Sequence, residues 1–158
     1  MVGRFGKESF DVVILTELLE HAKNWQLVIS NMKNVCKPGG ILIVTTRSRG
    51  FGYHGFPYDF WRYELDDFRE IFSDLNIVSL EKDTELVGVF TKLRKPLEFK
   101  ERDLANYKLY SILTNTRTAQ VTEKDSRSLR YLRFMVREKL KKIVRLLIQS
   151  FKKVVPET

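Results

Sequence analysis

Residues 10–46 read FDVVILTELLEHAKNWQLVISNMKNVCKPGGILIVTT, and this stretch decides the fold. Phe10 to Leu15 is an apolar, β-branched run, the pattern of a parallel strand buried on both faces, and it stops at polar Thr16 and Glu17. Asn24 is placed to cap a helix whose apolar positions Trp25, Val28, Ile29, Met32 and Val35 fall on one stripe. Lys37-Pro38-Gly39-Gly40 ends that helix with a cation, a helix breaker and two residues permissive in φ. Ile41 to Val44 is then a second buried strand. Strand, helix and strand in this order make a right-handed parallel unit, and ligands of such sheets lie beyond the carboxyl ends of the strands. A site is therefore expected where Thr16–His21 and Thr45–Arg49 come together.

Outward from this unit, Arg47–Tyr63 (RSRGFGYHGFPYDFWRY) is a long connection rich in glycine and aromatics, with neither helical nor alternating period. Loops of that length in compact domains are usually functional. Glu64–Leu75 places Leu65, Phe68, Ile71, Phe72 and Leu75 at helical spacing, with Asp66 and Asp67 in the first turn complementing the helix dipole. Asn76–Lys82 and Glu85–Leu93 are β-rich runs joined by a turn too short for a parallel crossover, so they form an antiparallel hairpin. Beyond Pro96, Arg102–Leu113 reads as a short helix and Thr114–Ser126 as a polar linker. Leu129, Leu132, Val136, Leu140, Ile143, Leu147, Phe151 and Val154 then recur every three or four residues along one long amphipathic helix. The organisation expected is a sheet domain over residues 1–95, a short helix and linker over 96–126, and a basic helix over 127–158.

The 158 residues suffice for one domain with its own core, and 43% hydrophobic with 30% charged residues is ordinary for a globular protein. Residues 1–126 hold 18 Lys+Arg and 18 Asp+Glu, so the entire net charge of +8 lies in the last segment. The high pI therefore is no nucleic-acid footprint of the sheet domain. Cys36 is the single cysteine, which excludes an intrachain disulfide and a zinc site built on several thiolates. No stretch approaches the roughly 18 apolar residues of a membrane span, and the expected setting is cytoplasmic, or peripheral to a membrane.

FDVVILTELLEH, KPGGILIVTT and HGFPYDFWRY, in this order and spacing, resemble the class I S-adenosylmethionine-dependent methyltransferases, specifically the type 11-like group with an EH pair after the fourth strand and a PGG turn before the fifth. The resemblance covers roughly residues 5–93. No Gly-x-Gly loop occurs before Phe10, so it implies the C-terminal half of the domain, a truncated one. Its fold would be α/β, a partial Rossmann-like sheet of parallel strands closed by a C-terminal antiparallel hairpin, with a helical extension. The strands would lie in the order first, second, fourth, third, leaving the first at an edge. The cofactor implied is S-adenosyl-L-methionine, with Thr16, Glu17 and Leu18 against its methionine end, partly through main-chain groups.

Methyl transfer is an in-line displacement, and holding the reactants in line can contribute about 7–11 kcal/mol. A base is needed only where the acceptor must lose a proton. His21 and His54 are the candidates for it. A second reading of Glu20-His21 is a cap that pins the loop. Tyr53, Tyr58, Asp59, Trp61 and Arg62 are expected to bind the acceptor, a small molecule or sugar. The alternative is a structural plug in which Asp59 pairs with Arg62 while Phe51, Phe56, Phe60 or Trp61 fills the core. Two histidines and scattered carboxylates suggest no metal cluster. The helix of 127–158, with Arg130, Arg133, Arg137, Lys141 and Arg145 opposite its apolar stripe, suits an anionic membrane surface or an acidic partner. Nucleic acid is least favoured, because no aromatic ladder accompanies the charges. Strand 10–15, as an exposed edge, is expected to self-associate.

Overall fold

The computed structural model describes residues 1–54, 58–126 and 129–154. Two units separate along the chain, Met1–Val121 and Thr122–Thr158. In the first, a short helix α1 (Val2–Phe5) precedes strand β1 (Phe10–Thr16), a 3-10 turn (Leu19–His21), helix α2 (Trp25–Val35) and strand β2 (Cys36–Arg47). There follow β3 (Trp61–Arg62), α3 (Leu65–Ile71), β4 (Asn76–Asp83), β5 (Gly88–Arg94), β6 (Leu109–Ser111) and β7 (Thr116–Thr118).

The main sheet has the order β1-β2-β5-β4. β1 runs parallel to β2, while β5 is antiparallel to both β2 and β4. This is the arrangement expected, with the closing hairpin inserted beside β2 and β1 at the edge. One feature of β1 differs. Only Val13 and Leu15 of the strand are buried, whereas Val12 and Ile14 are 53% and 62% exposed. The strand thus buries one face, because no described helix covers the other.

Asn24 caps α2 by accepting from Leu27 N–H at 3.2 Å. The PGG turn does more than end the helix. The β1–β2 register shifts between Phe10 and Val12, where β2 passes through Lys37–Gly40. Gly39 there takes φ +76°, and a Cβ on Gly40 would stand 2.7 Å from Cys36 Sγ and 2.9 Å from the Asp11 carbonyl oxygen. Glycine is required at the second position by backbone approach and not by conformation alone.

The segment after Pro96 departs from expectation. Arg102–Leu113 forms no helix; its second half is β6, which pairs with β3 and β7 in a separate three-stranded sheet. The expected linker Thr114–Ser126 supplies β7 and, after the unit boundary, a short helix α4 (Glu123–Ser126). The reason lies in Trp25. Its buried ring meets Trp61, Tyr63 and Tyr107 edge-on at centroid distances of 6.5, 6.3 and 6.1 Å, so aromatic packing draws residues 61–63 and 107 onto α2 and outweighs the weak helical period of RDLANYKLYSIL. The core continues through Phe68 and Phe72 of the α3 region.

In the second unit, helix α5 (Leu129–Val154) runs for 26 residues. Leu132, Val136, Leu140, Ile143 and Leu147 are exposed. No helix among the described residues is long and apolar enough to cross a membrane. Arg127 lies outside the described residues, as do the side chains of Leu129, Arg130, Phe151 and Val154.

Candidate active site

The site begins where β1 stops. Glu17 takes φ 51°, a left-handed conformation that few non-glycine residues adopt and that reverses the chain after Thr16. Its N–H donates to the Thr45 carbonyl at 3.0 Å, and Thr45 Oγ1 donates to Glu17 Oε1 at 2.9 Å. Glu17 Oε2 pairs with Arg47. Thr46 Oγ1, one residue on, donates to Glu20 Oε2 at 2.7 Å. The two strand ends read from sequence as one site are thus tied to each other by side chains.

The loop after β2 is sewn onto the same turn. Phe60 N–H donates to the Glu20 carbonyl at 2.7 Å, Trp61 Nε1 to that of Ala22 at 3.0 Å, and Tyr63 N–H to that of Arg47 at 3.0 Å. Within the loop, Arg62 donates to both carboxylate oxygens of Asp59 at 2.5 and 2.6 Å, and to the carbonyls of Phe51, Gly52 and Trp61. Asp59, Trp61 and Arg62 are buried.

These ties bring together three groups distant in sequence. His21 and His54 meet edge-on with ring centroids 4.8 Å apart. Glu20 Oε1 lies 4.0 Å from His21 Nε2 and 3.6 Å from His54 Nε2. On their far sides, His21 Nδ1 donates to the Tyr58 carbonyl at 2.8 Å, and His54 Nδ1 stands 3.1 Å from Asp59 Oδ2. Glu20 Oε1 is buried without a hydrogen-bond partner, an arrangement that costs about 1–3 kcal/mol in a folded protein. Burial pushes the Glu20 carboxyl up from its ordinary range; the Thr46 hydrogen bond partly opposes this, and the neighbouring Glu17 charge adds to it.

Placed on this frame, the expected residues divide. Thr16 and Leu18 are exposed at the strand end, while the Glu17 carboxylate is engaged inside the chain and is not offered to a ligand. His21 and His54 converge. Asp59, Trp61 and Arg62, read as acceptor-binding residues, are instead the buried plug, because the guanidinium needs its carboxylate and carbonyl partners once out of water. Tyr58 is exposed and Tyr53 half-buried on the same loop. Phe60 is buried, Phe51 stacks under Arg47 at 4.4 Å, and Gly55, Phe56 and Pro57 lie outside the described residues. Glu20-His21 makes no side-chain cap, since Asn24 holds that place, but His21 does pin the loop through Tyr58. Two histidines and scattered carboxylates suggested no metal cluster in the sequence; the fold brings potential ligand atoms of Glu20, His21 and His54 within 4.8 Å of one another. Glu20 is the residue sequence reasoning missed; a carboxylate set directly after Leu18-Leu19 was the available signal. Two grooves of about 460 and 420 Å³ border α2, and no expected site residue lines either.

Residues 2–44, spanning β1, α2 and most of β2, match the family described as Methyltransferase domain. Over those residues the chain is similar to a methyltransferase domain. Among solved structures, a chain from the complex of the Haloferax volcanii Trm112 methyltransferase activator with a methyltransferase is similar at 15% identity and TM-score 0.47, over 60% of this chain and 57% of that one. The cyclase SpnF is similar at 15% identity and TM-score 0.47, over 58% and 52%. The N-methyltransferase NodS from Bradyrhizobium japonicum WM9 gives 17% and 0.40, over 55% and 51%. This chain spans little more than half the length of each. No curated protein matches it.

Proposed function

We propose that this chain carries the acceptor side of an S-adenosylmethionine-dependent methyltransferase acting on a small-molecule or sugar-type acceptor. The supporting observation is the match of residues 2–44 to a methyltransferase domain, in a chain whose two strand ends converge on a histidine pair. Exposed Thr16 and Leu18 fit a cofactor's methionine end, through a hydroxyl, an apolar side chain and main-chain groups. S-adenosylmethionine, when bound, supplies an electrophilic methyl group. The chain's own part is positioning and proton transfer. His21 and His54 are the candidate bases, since a neutral imidazole can accept a proton from an acceptor hydroxyl or amine. The buried Asp59–Arg62 pair holds the loop that carries His54, and Tyr53 and Tyr58 flank it as acceptor contacts.

The test is an amide NMR titration with S-adenosylmethionine, followed by labelled methyl transfer to sugars and small metabolites. Shifts centred on Thr16, Glu17 and Leu18 are expected. A saturating titration that leaves these three unmoved overturns the reading.

A second reading is favoured by the exposed apolar residues of α5, which alternate with cations. In it the chain is an interaction module, cytoplasmic or peripheral to a membrane, that docks through residues 127–158 on an anionic surface or acidic partner. Binding to anionic vesicles should weaken with salt and vanish on deleting that segment. Co-sedimentation indifferent to the deletion rejects it.

A further inference from the structure

We infer that Glu20, His21 and His54 form a site for one divalent transition-metal ion of the zinc type. The donors are Glu20 Oε1 and the two imidazole nitrogens, all within 4.8 Å of one another. Zinc ligands at about 2.0–2.2 Å in tetrahedral array stand about 3.4 Å apart, so the 3.6 and 4.0 Å spacings from Glu20 Oε1 close by a few tenths of an ångström, and the two imidazole nitrogens, within 4.8 Å of each other, close further by side-chain rotation. The imidazole side chains are 27% and 31% exposed and have room to make that movement.

Two further observations point to an ion rather than to a chance meeting of side chains. Glu20 Oε1 is fully buried, lacks a hydrogen-bond partner and is aimed at both Nε2 atoms. A cation there satisfies a buried carboxylate oxygen that the fold leaves without a hydrogen bond. The second is the support behind each ring. His21 Nδ1 donates to a carbonyl that can only accept, and His54 Nδ1 faces the Asp59 carboxylate, so each neutral ring is set to hold its proton on Nδ1 and its lone pair on Nε2. A carboxylate or carbonyl behind each imidazole is the outer shell that orients metal-bound histidines. Asp59 is itself fixed by Arg62, and Glu20 Oε2 by Thr46, so the donors stand on rigid supports.

Two imidazoles and one carboxylate favour zinc, iron or cobalt over magnesium or calcium, which prefer all-oxygen shells. The half-exposed side of the rings leaves further coordination positions for water or an oxygen of a bound ligand, as in an open rather than a structural site. The inference stands on the cluster alone and needs neither cofactor nor acceptor; with the ion bound, His21 and His54 serve as its ligands and not as the base.

The experiment uses the full chain without a polyhistidine tag, which matters because His21 and His54 are its two histidines. Zinc is titrated against a chromophoric chelator, and cobalt uptake is followed by its visible absorption. One ion per chain is expected, with His21→Gln, His54→Gln and Glu20→Gln each weakening binding at least about tenfold, the lower end of the loss seen for outer-shell partners alone. Imidazole nitrogen NMR on the unaltered chain keeps the proposal testable if a variant misfolds. Zinc should move both Nε2 resonances and leave both Nδ1 protons in place. No uptake at millimolar zinc, uptake unchanged in the variants, or a shift confined to one ring overturns it.

Discussion

Arg62 and Asp59 form a bidentate ion pair entirely out of water, with Nη1–Oδ1 at 2.5 Å and Nη2–Oδ2 at 2.6 Å, and the same guanidinium closes the loop at Phe51 and Gly52. Removing one partner leaves the other charge buried and unpaired, which costs about 3–5 kcal/mol. Arg62→Met should therefore lower the free energy of unfolding by that amount and loosen His54, whose N–H donates to Asp59 Oδ2 at 3.2 Å. Denaturation curves with the His54 ring resonances measure both. A variant as stable as the parent would show that the pair is dispensable.

Tyr107 donates to Asp67 at 2.8 Å, and Arg117 pairs with the same carboxylate. Burial, then the hydrogen bond and charge of Asp67, pushes the phenol up to about 12. The folded-state value lies above the ordinary 10.0, so the folded chain keeps this proton longer than the unfolded one. The resulting stability is complete below about pH 10 and is lost as the pH rises through about 12. Thermal melts across that window should fall more steeply for the parent than for Tyr107→Phe, and absorbance titration should show one late phenol fewer in the variant.

Gly40 sits where a Cβ would meet the carbonyl oxygens of Lys37 at 2.8 Å and Asp11 at 2.9 Å, with Cys36 Sγ at 2.7 Å. Two backbone segments cannot both give way, so Gly40→Ala should destabilise by about 1–3 kcal/mol through overpacking. Chemical denaturation reads this directly. Gly3, with nothing within 4 Å of its added Cβ, provides the control.

The β1 edge places Val12 and Ile14 in solvent beside unpaired strand backbone. An exposed apolar edge invites pairing with another chain. Light scattering should detect association that grows with concentration and is suppressed by Ile14→Lys, while the variant's own unfolding changes by no more than about 0.5 kcal/mol, as is usual for exposed positions. Monodisperse parent at high concentration would argue against the edge as a contact.

The sheet was legible because its signals are local. FDVVIL and ILIV carry strand propensity in their own residues, Asn24 marks the α2 start, and the short turn between β4 and β5 permits only an antiparallel pairing. The PGG turn was legible in position but only partly in reason, since one of the contacts that demand Gly40 comes from Asp11 on the neighbouring strand. Arg102–Leu113 misled because its helical spacing is weak and its fate is set by Trp25, nearly eighty residues earlier.

The sequence by itself placed the strands and the antiparallel β4–β5 hairpin, through propensity and turn length, and marked the two strand ends where a site is expected; the order β1-β2-β5-β4 came from its resemblance to a methyltransferase group. Only the tertiary structure decided the site's chemistry. The loop after β2 folds back so that Asp59 and Arg62 vanish into a plug, and His54 arrives beside His21 over a buried carboxylate. The two histidines stand 33 positions apart in the chain. What joins them is the desolvation of one guanidinium, whose carbonyl and carboxylate partners dictate the path of the loop.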